Sequence, residues 1–295
     1  MIHIKTPEQI KIMQHGGHIL SEVLLEVMDA IRPGVTELEL DQLAEKLIRQ
    51  KGGESGFKRV EGYHHTICMS TNDVVVHGIP GSYEVKEGDV VGVDCGVFYK
   101  GFHTDMAETC RVSTVNNSQL TINKEQDRHS GEQSDSRISK ADQSDSGPSI
   151  SAGRQARMTE NYEIDKFLEI GKQALDAGIK QAVLGNHVGH ISKAIQDIVE
   201  KQNGYAVVRS LIGHGVGKDL HEAPEVPGYL IGKIEKTPLL KVGMTIAIEV
   251  IYNMGRKEVM IDRDGWTIRS ADGSLAGLFE RTVAITKDGP LMITI

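Results

Sequence analysis

Hydrophobic residues near the start of the chain recur every three or four positions, which is the spacing of one buried face of an α-helix. The series runs Ile10, Met13, Gly17, Leu20, Leu24, Val27 and Ile31. Thr6 is a suitable N-cap for this helix, and Gln9 stands where it can complete a capping box. A second helix is predicted to start at Thr36 and to stop at Gly52-Gly53.

Apolar runs typical of buried strands follow the second predicted helix. We expect four strands, at Thr66–Ser70, Val74–His77, Val90–Phe98 and His103–Val112. The second half of the chain repeats this order, with helices predicted at Tyr162–Val183 and His190–Gln202 and further strands after them. Each half therefore consists of two helices followed by strands, and we predict a single pseudo-twofold α+β domain spanning residues 1–295.

A polar segment separates the two halves, at about residues 113–160. It is rich in Ser, Asp, Gln and Asn, contains no Phe, Trp or Tyr, and includes a near repeat, QSDSRISKAD followed by QSDSGPSISA. Such a composition cannot form a core of its own, so the segment is interpreted as a disordered insertion in the catalytic domain. A docking or phosphorylation segment is the alternative interpretation.

The overall composition excludes several classes of protein. With 39% hydrophobic and 25% charged residues and a net charge of -8, the chain is typical of globular proteins and offers no basic surface for direct binding of nucleic acid. It has no apolar stretch near the roughly 20 residues of a membrane helix and no signal-peptide pattern, which predicts a cytoplasmic protein without a membrane partner. Three cysteines without CxxC spacing argue against disulfides or a thiolate metal site.

Acidic residues inside apolar runs are the strongest chemical signal. VVGVDCGVF contains Asp94, TIAIEVIY contains Glu249 and AGLFERTVAI contains Glu280, while Asp105 and His214 lie in GFHTD and GHGVGK. A buried unpaired carboxylate costs several kcal/mol, and about four such charges would be balanced by two divalent cations. Oxygen ligands with one imidazole favour Mn, Fe, Co or Zn in a hydrolytic role.

Other catalytic patterns fail on inspection. The phosphate-binding loop pattern is broken at Ile212 and Asp219, the zinc-protease pattern HExxH is broken at Glu225, and no GxSxG sequence occurs. The glycines around His214 instead let the backbone hold this ring close to a ligand. Two further histidines, His77 and His221, lie beside turn-forming prolines and are predicted to contact the substrate.

Taken together, STNDVVVHGIP, VDCGV, GFHTD, GHGVGKDLHEAPEV, DGWTIRS and FERT closely resemble type I methionine aminopeptidases. The resemblance covers nearly the whole chain except the 113–160 segment, and all five candidate ligand positions are filled. The spacings between Asp94 and Asp105, His214 and His221, and Glu249 and Glu280 agree with the family. It implies the pita-bread (creatinase/aminopeptidase) fold, in which helices cover a curved antiparallel sheet.

The resemblance also implies a role for each candidate ligand. Asp94 should bind one metal ion, Asp105 and Glu280 should bridge two, and His214 and Glu249 should complete the coordination. Glu249 should in addition transfer a proton during hydrolysis.

The family's substrate contacts map onto further residues. His221 should contact the substrate carbonyl oxygen, and His77 should lie near the scissile nitrogen. By position, the methionine pocket should be lined by Tyr63, His64, Cys68, Leu220 and Trp266. The chain departs from the family in a shorter stretch before Cys68, in Leu220 where an aromatic residue is common, and in Arg281 where His is frequent.

The implied activity is metal-dependent removal of the initiator methionine, by attack of a metal-activated water, from nascent proteins whose second residue is small. The implied partners are nascent N-termini and the ribosome, and the protein is expected to be a monomer. Two alternatives remain open at this point: an aminopeptidase of broader or Pro-related specificity on the same fold, and a non-catalytic peptide- or ribosome-binding protein.

Overall fold

The computed structural model describes residues 2–113 and 152–295. Its helices are α1 (Pro7–Ala30), α2 (Glu37–Gln50), α3 (Ala152–Gln181) and α4 (Val188–Gln196), the last continuing into a π-helical turn at Asp197–Gln202, and 3-10 turns lie at Phe57–Arg59 and Ile234–Lys236. None of the helices in these two ranges combines the length and hydrophobicity that a membrane crossing requires.

The strands form two antiparallel sheets. They are β1 (Glu54–Ser55), β2 (Ile67–Thr71), β3 (Val74–Val76), β4 (Val90–Tyr99), β5 (Phe102–Arg111), β6 (Ala206–Val207), β7 (Gly213–Gly215), β8 (Glu222–Val226), β9 (Thr245–Asn253), β10 (Val259–Ile261), β11 (Ile268–Ser270), β12 (Ala276–Thr286) and β13 (Gly289–Met292). The main sheet has the order β1-β4-β5-β12-β9-β7-β8, with β2 paired to β4, β6 to β9 and β13 to β12. The small sheet has the order β10-β11-β3.

Local sequence signals account for the starts of the first two helices. The Thr6 hydroxyl accepts a hydrogen bond from the Gln9 backbone N–H at 3.3 Å, and the Gln9 side chain accepts one from the Thr6 N–H at 2.9 Å. Thr36 and Glu39 form the same reciprocal pair at 3.2 and 2.8 Å. The capping box predicted at Thr6 is confirmed, and a cap of this kind stabilises a helix by about 1 kcal/mol.

The predicted strand boundaries agree with the structure to within one residue, but the third helix differs. It starts at Ala152 and not at Tyr162, so the prediction of a disordered insertion is wrong for residues 152–160. The sequence RQARMTE at 154–160 consists mostly of good helix formers, and an existing helix extends at little cost even without an apolar face. The remainder of the predicted insertion, 114–151, lies outside the described residues.

The helices pack on one face of the main sheet, which we call the helix face. Helices α1 and α2 form a core with β2, β4 and β5, in which Leu20 and Val23 lie among Val91 and Val93. Helices α3 and α4 form a second core with β9 and β12 around Phe167. Two helix pairs on two halves of one antiparallel sheet confirm the predicted pseudo-twofold α+β architecture.

The opposite face of the main sheet, which we call the site face, is covered in part by the small sheet. Val75 and Val76 of β3 pack there with Ala107, Ile251 and Leu278. A shallow apolar layer therefore lies above the strands that carry the candidate ligands.

Two adjacent glycines in α1 differ in the space that their neighbours leave for a side chain. A Cβ on Gly17 would lie 2.0 Å from the carbonyl oxygen of Ile293, whereas a Cβ on Gly16 would meet Tyr99 Cβ at 3.1 Å. Gly17→Ala should lower the free energy of unfolding by about 1–3 kcal/mol, because the backbone of Ile293 must move. Gly16→Ala should change it by less than about 1 kcal/mol, because helix propensity offsets a small adjustment. Urea unfolding measures both, and equal stability of the two variants would contradict the packing described here.

Candidate metal centre and active site

Strand register brings three of the predicted carboxylates into one row on the site face. Asp94 of β4 lies opposite Ala107 of β5, Ala107 lies opposite Glu280 of β12, and Glu280 lies opposite Glu249 of β9. Residues directly opposite one another in antiparallel strands project from the same face. The small side chain of Ala107 leaves space between Asp94 and the two glutamates.

The remaining two candidate ligands occupy the next row of the sheet. Asp105 is two residues from Ala107 on β5, and His214 of β7 lies opposite Ala247, two residues from Glu249. Because side chains two apart on a strand share a face, all five predicted ligands converge there. Cys95 follows Asp94 and therefore belongs to the core on the helix face, as alternation predicts.

Distances within the group are short enough for a shared cation. One ligand atom from each of Asp105, His214 and Glu280 lies within 4.8 Å of the others. His214 Nε2 is 3.2 Å from Glu249 Oε1 and 3.9 Å from Asp105 Oδ2. His214 Nδ1 lies 2.9 Å from the Gly215 carbonyl oxygen, so a proton on Nδ1 leaves Nε2 directed at the acidic residues.

The electrostatics of the group indicate a missing positive charge. Burial, and then the negative charge of Glu249, raise the pKa of Asp94 to about 8. Burial and the neighbouring carboxylates raise the pKa of Asp105 and of Glu280 well above the usual range. Asp94 Oδ1 and Glu280 Oε1 are buried and have no hydrogen-bond partner among the residues that the structure describes. These oxygen atoms fit a divalent cation, which would satisfy them and balance their charge.

The surroundings favour the charged form of the His214 imidazole, whereas they favour the neutral form of the carboxyl groups. Burial disfavours its charged form, but the hydrogen bond to Glu249 and the charge of that carboxylate outweigh burial and raise the pKa of His214. A neutral imidazole is the form that binds a metal ion, so a cation and a proton would compete for this ring.

The five residues form the floor of a cavity of about 160 Å³. Four of the predicted pocket residues also line this cavity, namely Tyr63, Cys68, Leu220 and Trp266. The structure does not bring His64 to it, because the side chain of Tyr63 turns inward and that of the next residue is exposed. The cavity therefore joins a charged floor to an apolar wall.

Aromatic contacts hold the apolar wall in place. The Tyr63 hydroxyl donates a hydrogen bond to the Ile67 carbonyl at 2.7 Å, and its ring meets Trp266 edge-on with 5.2 Å between the ring centroids. Phe57 also meets Tyr63 edge-on, with 6.3 Å between the centroids. A wall with these fixed rings is preformed for an apolar side chain.

His77 and His221 both line the cavity, beside the floor. His77 has a φ of 56°, which is uncommon for a residue with a Cβ and marks a backbone held by its surroundings. The ring of His221 meets that of His214 edge-on at 4.3 Å between centroids. Removal from water lowers the pKa of His77, and for His221 the same effect is reinforced by the His214 and His77 rings. Both side chains are therefore neutral at neutral pH.

Several lining residues were not predicted from the sequence. Ile251 and Leu278 lie two residues from Glu249 and Glu280, so strand alternation could have identified them. Phe57 lies in a 3-10 turn and Leu211 in a loop, where no periodic signal exists.

A buried ion pair next to His221 was also not predicted. Lys5 Nζ lies 2.5 Å from Glu222 Oε2, with the two side chains only 4% and 3% exposed. Glu222 Oε1 accepts backbone hydrogen bonds from Lys218 at 2.7 Å and Asp219 at 3.3 Å. This pair connects the N-terminal segment to the loop that carries His221.

Together, the clustered carboxylates, the imidazole and the adjoining apolar wall define a metal-dependent hydrolase with a pocket for an apolar group. Comparison with known proteins specifies the class further. Residues 11–127 and 144–287 match metallopeptidase family M24. The chain belongs to this metallopeptidase family.

Full-length relatives carry more specific names. Over 295 residues the chain is 36% identical to the methionine aminopeptidase of Clostridium perfringens, covering 100% of this chain and 99% of the relative. The crystal structure of methionine aminopeptidase from Thermotoga maritima superposes with a TM-score of 0.80 at 32% identity, covering 100% of this chain and 99% of the other. The chain is thus a metallo-aminopeptidase with the pita-bread fold.

A more distant structure shares the fold alone. Prolidase from Pyrococcus furiosus superposes with a TM-score of 0.66 at 20% identity, and the match covers 99% of this chain but 65% of the prolidase. The same architecture therefore also occurs in a larger enzyme with a different name.

The metal-free protein should lose stability as the pH rises from about 4 to about 8. Folding raises the pKa of Asp94 to about 8, so between these limits the folded protein holds a proton that the unfolded chain has released. The free energy of unfolding therefore falls with rising pH. Calorimetry in a chelator should show a lower melting temperature at about pH 8 than at about pH 5, and saturating Mn²⁺ should restore more stability at the higher pH.

Asp94→Asn is the matched control for this pH dependence, because it keeps the shape of the side chain and cannot ionise. Its melting temperature in chelator should vary less between the two pH values than that of the wild type. An unchanged or steeper slope would show that the carboxylate group does not carry the effect.

Lys5→Met should destabilise the protein by about 3–5 kcal/mol, because it leaves the buried Glu222 carboxylate without its cation. The double variant Lys5→Met/Glu222→Gln should recover part of this loss. Lys51→Met is the control: Lys51 Nζ pairs with Glu22 at 2.9 Å but both side chains are partly exposed, and the expected cost is below about 1 kcal/mol. Urea unfolding measures the change in the free energy of unfolding for the three variants, and equal effects of Lys5→Met and Lys51→Met would contradict the prediction.

Proposed function

We propose that this protein removes the N-terminal methionine from nascent polypeptides whose second residue is small. The observation that carries the proposal is the direct continuity of the carboxylate floor with a preformed apolar wall in one cavity. A methionine side chain against Tyr63 and Trp266 leaves the first peptide bond above the floor. The name shared by the full-length relatives supports the same activity.

The proposal includes two divalent metal ions, drawn from Mn, Fe, Co or Zn. Asp94, Asp105, His214, Glu249 and Glu280 would hold them, with Asp105 and Glu280 shared between the two. Four carboxylates on one floor carry about four negative charges, which one divalent cation would only half balance. When bound, the metal ions would polarise the peptide carbonyl and lower the pKa of the attacking water.

The chain's own residues have three tasks in this reaction. Glu249 accepts the proton of the attacking water and delivers it to the leaving nitrogen, since its carboxylate borders the cavity and stays partly accessible. His221 donates a hydrogen bond to the substrate carbonyl oxygen. His77 orients the substrate near the scissile nitrogen. Both histidines are neutral, so each can donate from one ring nitrogen without carrying charge.

A bound metal ion would also account for a preference for chain ends. The neutral form of a free α-amino group has a lone pair that can bind a metal ion, whereas the lone pair of an internal peptide nitrogen is delocalised into the carbonyl. The apolar wall then receives the side chain of this terminal residue. Endopeptidase activity is therefore not expected.

An aminopeptidase of broader or Pro-related specificity is the second candidate. It is favoured by Leu220, which stands in the apolar wall at a position where the resemblance implies an aromatic residue. A non-catalytic peptide- or ribosome-binding protein is disfavoured, because all five ligand residues are present and converge. The proposal further assigns the protein to the cytoplasm, as a monomer that meets nascent chains at the ribosome.

The decisive experiment measures release of the first amino acid from Met-Ala-Ser, Met-Lys-Ser, Ala-Ala-Ser and Ala-Pro-Ser by the purified protein with Mn²⁺, Fe²⁺ or Co²⁺. Cleavage of Met-Ala-Ser should exceed that of Ala-Ala-Ser at least about tenfold in kcat/KM, because burial of a methionine side chain contributes about 1.5–3 kcal/mol. Met-Lys-Ser should be cleaved poorly.

Two variants control this experiment. Asp105→Ala should lose both bound metal and activity, whereas Asp288→Asn, an exposed carboxylate away from the cavity, should behave as the wild type. Equal cleavage of Met-Ala-Ser and Ala-Ala-Ser, or preference for Ala-Pro-Ser, would replace the proposal with the broader specificity. Metal binding without any cleavage would replace it with the binding protein.

A further inference from the structure

The two halves of the main sheet meet where β5 lies beside β12, and we call this junction the seam. Its paired residues are Glu280 with Ala107 and Arg281 with Met106. By contrast, β4 and β5 pair from Val90–Arg111 to Tyr99–Phe102, along their whole length. A short ladder therefore joins the halves at the point where the candidate ligands from both halves converge.

Two threonine hydroxyls extend this short ladder. Thr282 Oγ1 of β12 accepts a hydrogen bond from the Asp105 N–H at 3.0 Å and donates one to the Asp105 carbonyl at 2.8 Å. Thr109 Oγ1 of β5 accepts one from the Leu278 N–H at 3.1 Å and donates one to the Leu278 carbonyl at 2.6 Å. Each hydroxyl satisfies both backbone groups of one residue across the seam, which in a regular ladder is done by the backbone of the facing residue.

The two contacts are related by the pseudo-twofold axis. Thr109 lies two residues after Ala107 and Thr282 two residues after Glu280, while their partners Asp105 and Leu278 lie two residues before those same positions. The axis therefore passes through the Ala107–Glu280 pair. Both threonines are buried, with 2% and 0% exposure, so water does not compete for these bonds.

Electrostatic repulsion acts across the same junction. Asp105 belongs to the first half and Glu280 to the second, and both carboxylates are buried close enough for their oxygens to share a cation. Ionisation of both carboxyl groups at this spacing, without a cation between them, would favour separation of the halves. On the helix face, Arg281 Nη1 donates to the carbonyls of Ala107 at 3.0 Å and Glu280 at 2.8 Å, which holds the centre of the seam but not its two ends.

We propose that Thr109 and Thr282 are positioning residues for the metal centre, whose hydroxyls hold the two halves in register so that Asp105 and Glu280 can bind the same cation. This inference rests on the metal centre assigned under the proposed function, but it does not depend on methionine specificity. Thr282 has the larger effect, because it bonds the backbone of a ligand residue directly.

Removal of a hydroxyl at constant shape tests the proposal. Thr282→Val leaves the N–H and the carbonyl of Asp105 buried without partners, so β5 must shift relative to β12 to satisfy them. Thr282→Ser keeps the hydroxyl and should keep the register. Thr245→Val is the matched control, because Thr245 is equally buried in the same sheet and its hydroxyl bonds the Val216 carbonyl, away from the seam.

Calorimetric titration of the chelator-treated proteins with Mn²⁺, well below their melting temperatures, gives the primary result. Thr282→Val should bind Mn²⁺ about 10- to 100-fold more weakly, as found for groups that orient metal ligands. Thr109→Val should show a smaller loss, and Thr282→Ser and Thr245→Val should stay close to the wild type. The visible absorption of bound Co²⁺ should change in Thr282→Val and be restored in Thr282→Ser, which a general loss of stability would not produce.

Wild-type Mn²⁺ affinity in Thr282→Val, or an equal loss in Thr245→Val, would overturn the proposal. Should Thr282→Val fail to fold, Thr109→Val decides by the same criteria, since it is the symmetry-related position. The peptide panel separates this test from the proposed function. If the variants show the expected pattern of Mn²⁺ affinities but the wild type does not prefer methionine, the proposed specificity alone is refuted. If the wild type does not bind Mn²⁺, both proposals are refuted.

Discussion

Repulsion among buried carboxylates is the constraint on which the rest of this structure depends. Asp94, Asp105, Glu249 and Glu280 share one floor with a single imidazole, and burial opposes ionisation of three of them. Folding alone therefore produces a centre with too little positive charge. A divalent cation resolves the conflict, so the same feature that weakens the metal-free fold provides the affinity for metal.

The architecture serves to bring these groups together in spite of that repulsion. The helix pairs α1–α2 and α3–α4 form cores on the helix face, and these cores supply the stabilisation that the site face lacks. Strand register then determines which side chains share a row, and small residues such as Ala107 leave space between the ligands. At the seam, hydroxyl groups continue a ladder that the backbone alone leaves short.

Much of this arrangement was predictable because its signals are local. The Thr6 cap and the apolar series after it define α1, and an acid within an apolar run, such as Glu249, indicates a buried charge that needs a partner. Contacts between distant segments gave no such signal. Lys and Glu are usually exposed, so the sequence around Lys5 and Glu222 does not indicate a buried pair, and only the fold brings the two side chains together. The start of α3 at Ala152 was missed because that end of the helix is polar and lacks a buried face.

Because the candidate ligands are divided between the two halves, the order of synthesis determines when they can come together. Asp94 and Asp105 leave the ribosome first, and at that stage they belong to a half-sheet whose edge strand β5 is paired with β4 on one side only. Strand β12, which brings Glu280 to that edge, is made more than a hundred residues later, since Glu280 follows Asp105 by 175 positions (280 minus 105). A metal ion held by both halves can therefore be captured only after β12 has been made. Under the proposed assignment, the metal centre is complete only when both halves have folded, and a bound cation would then hold the two halves together.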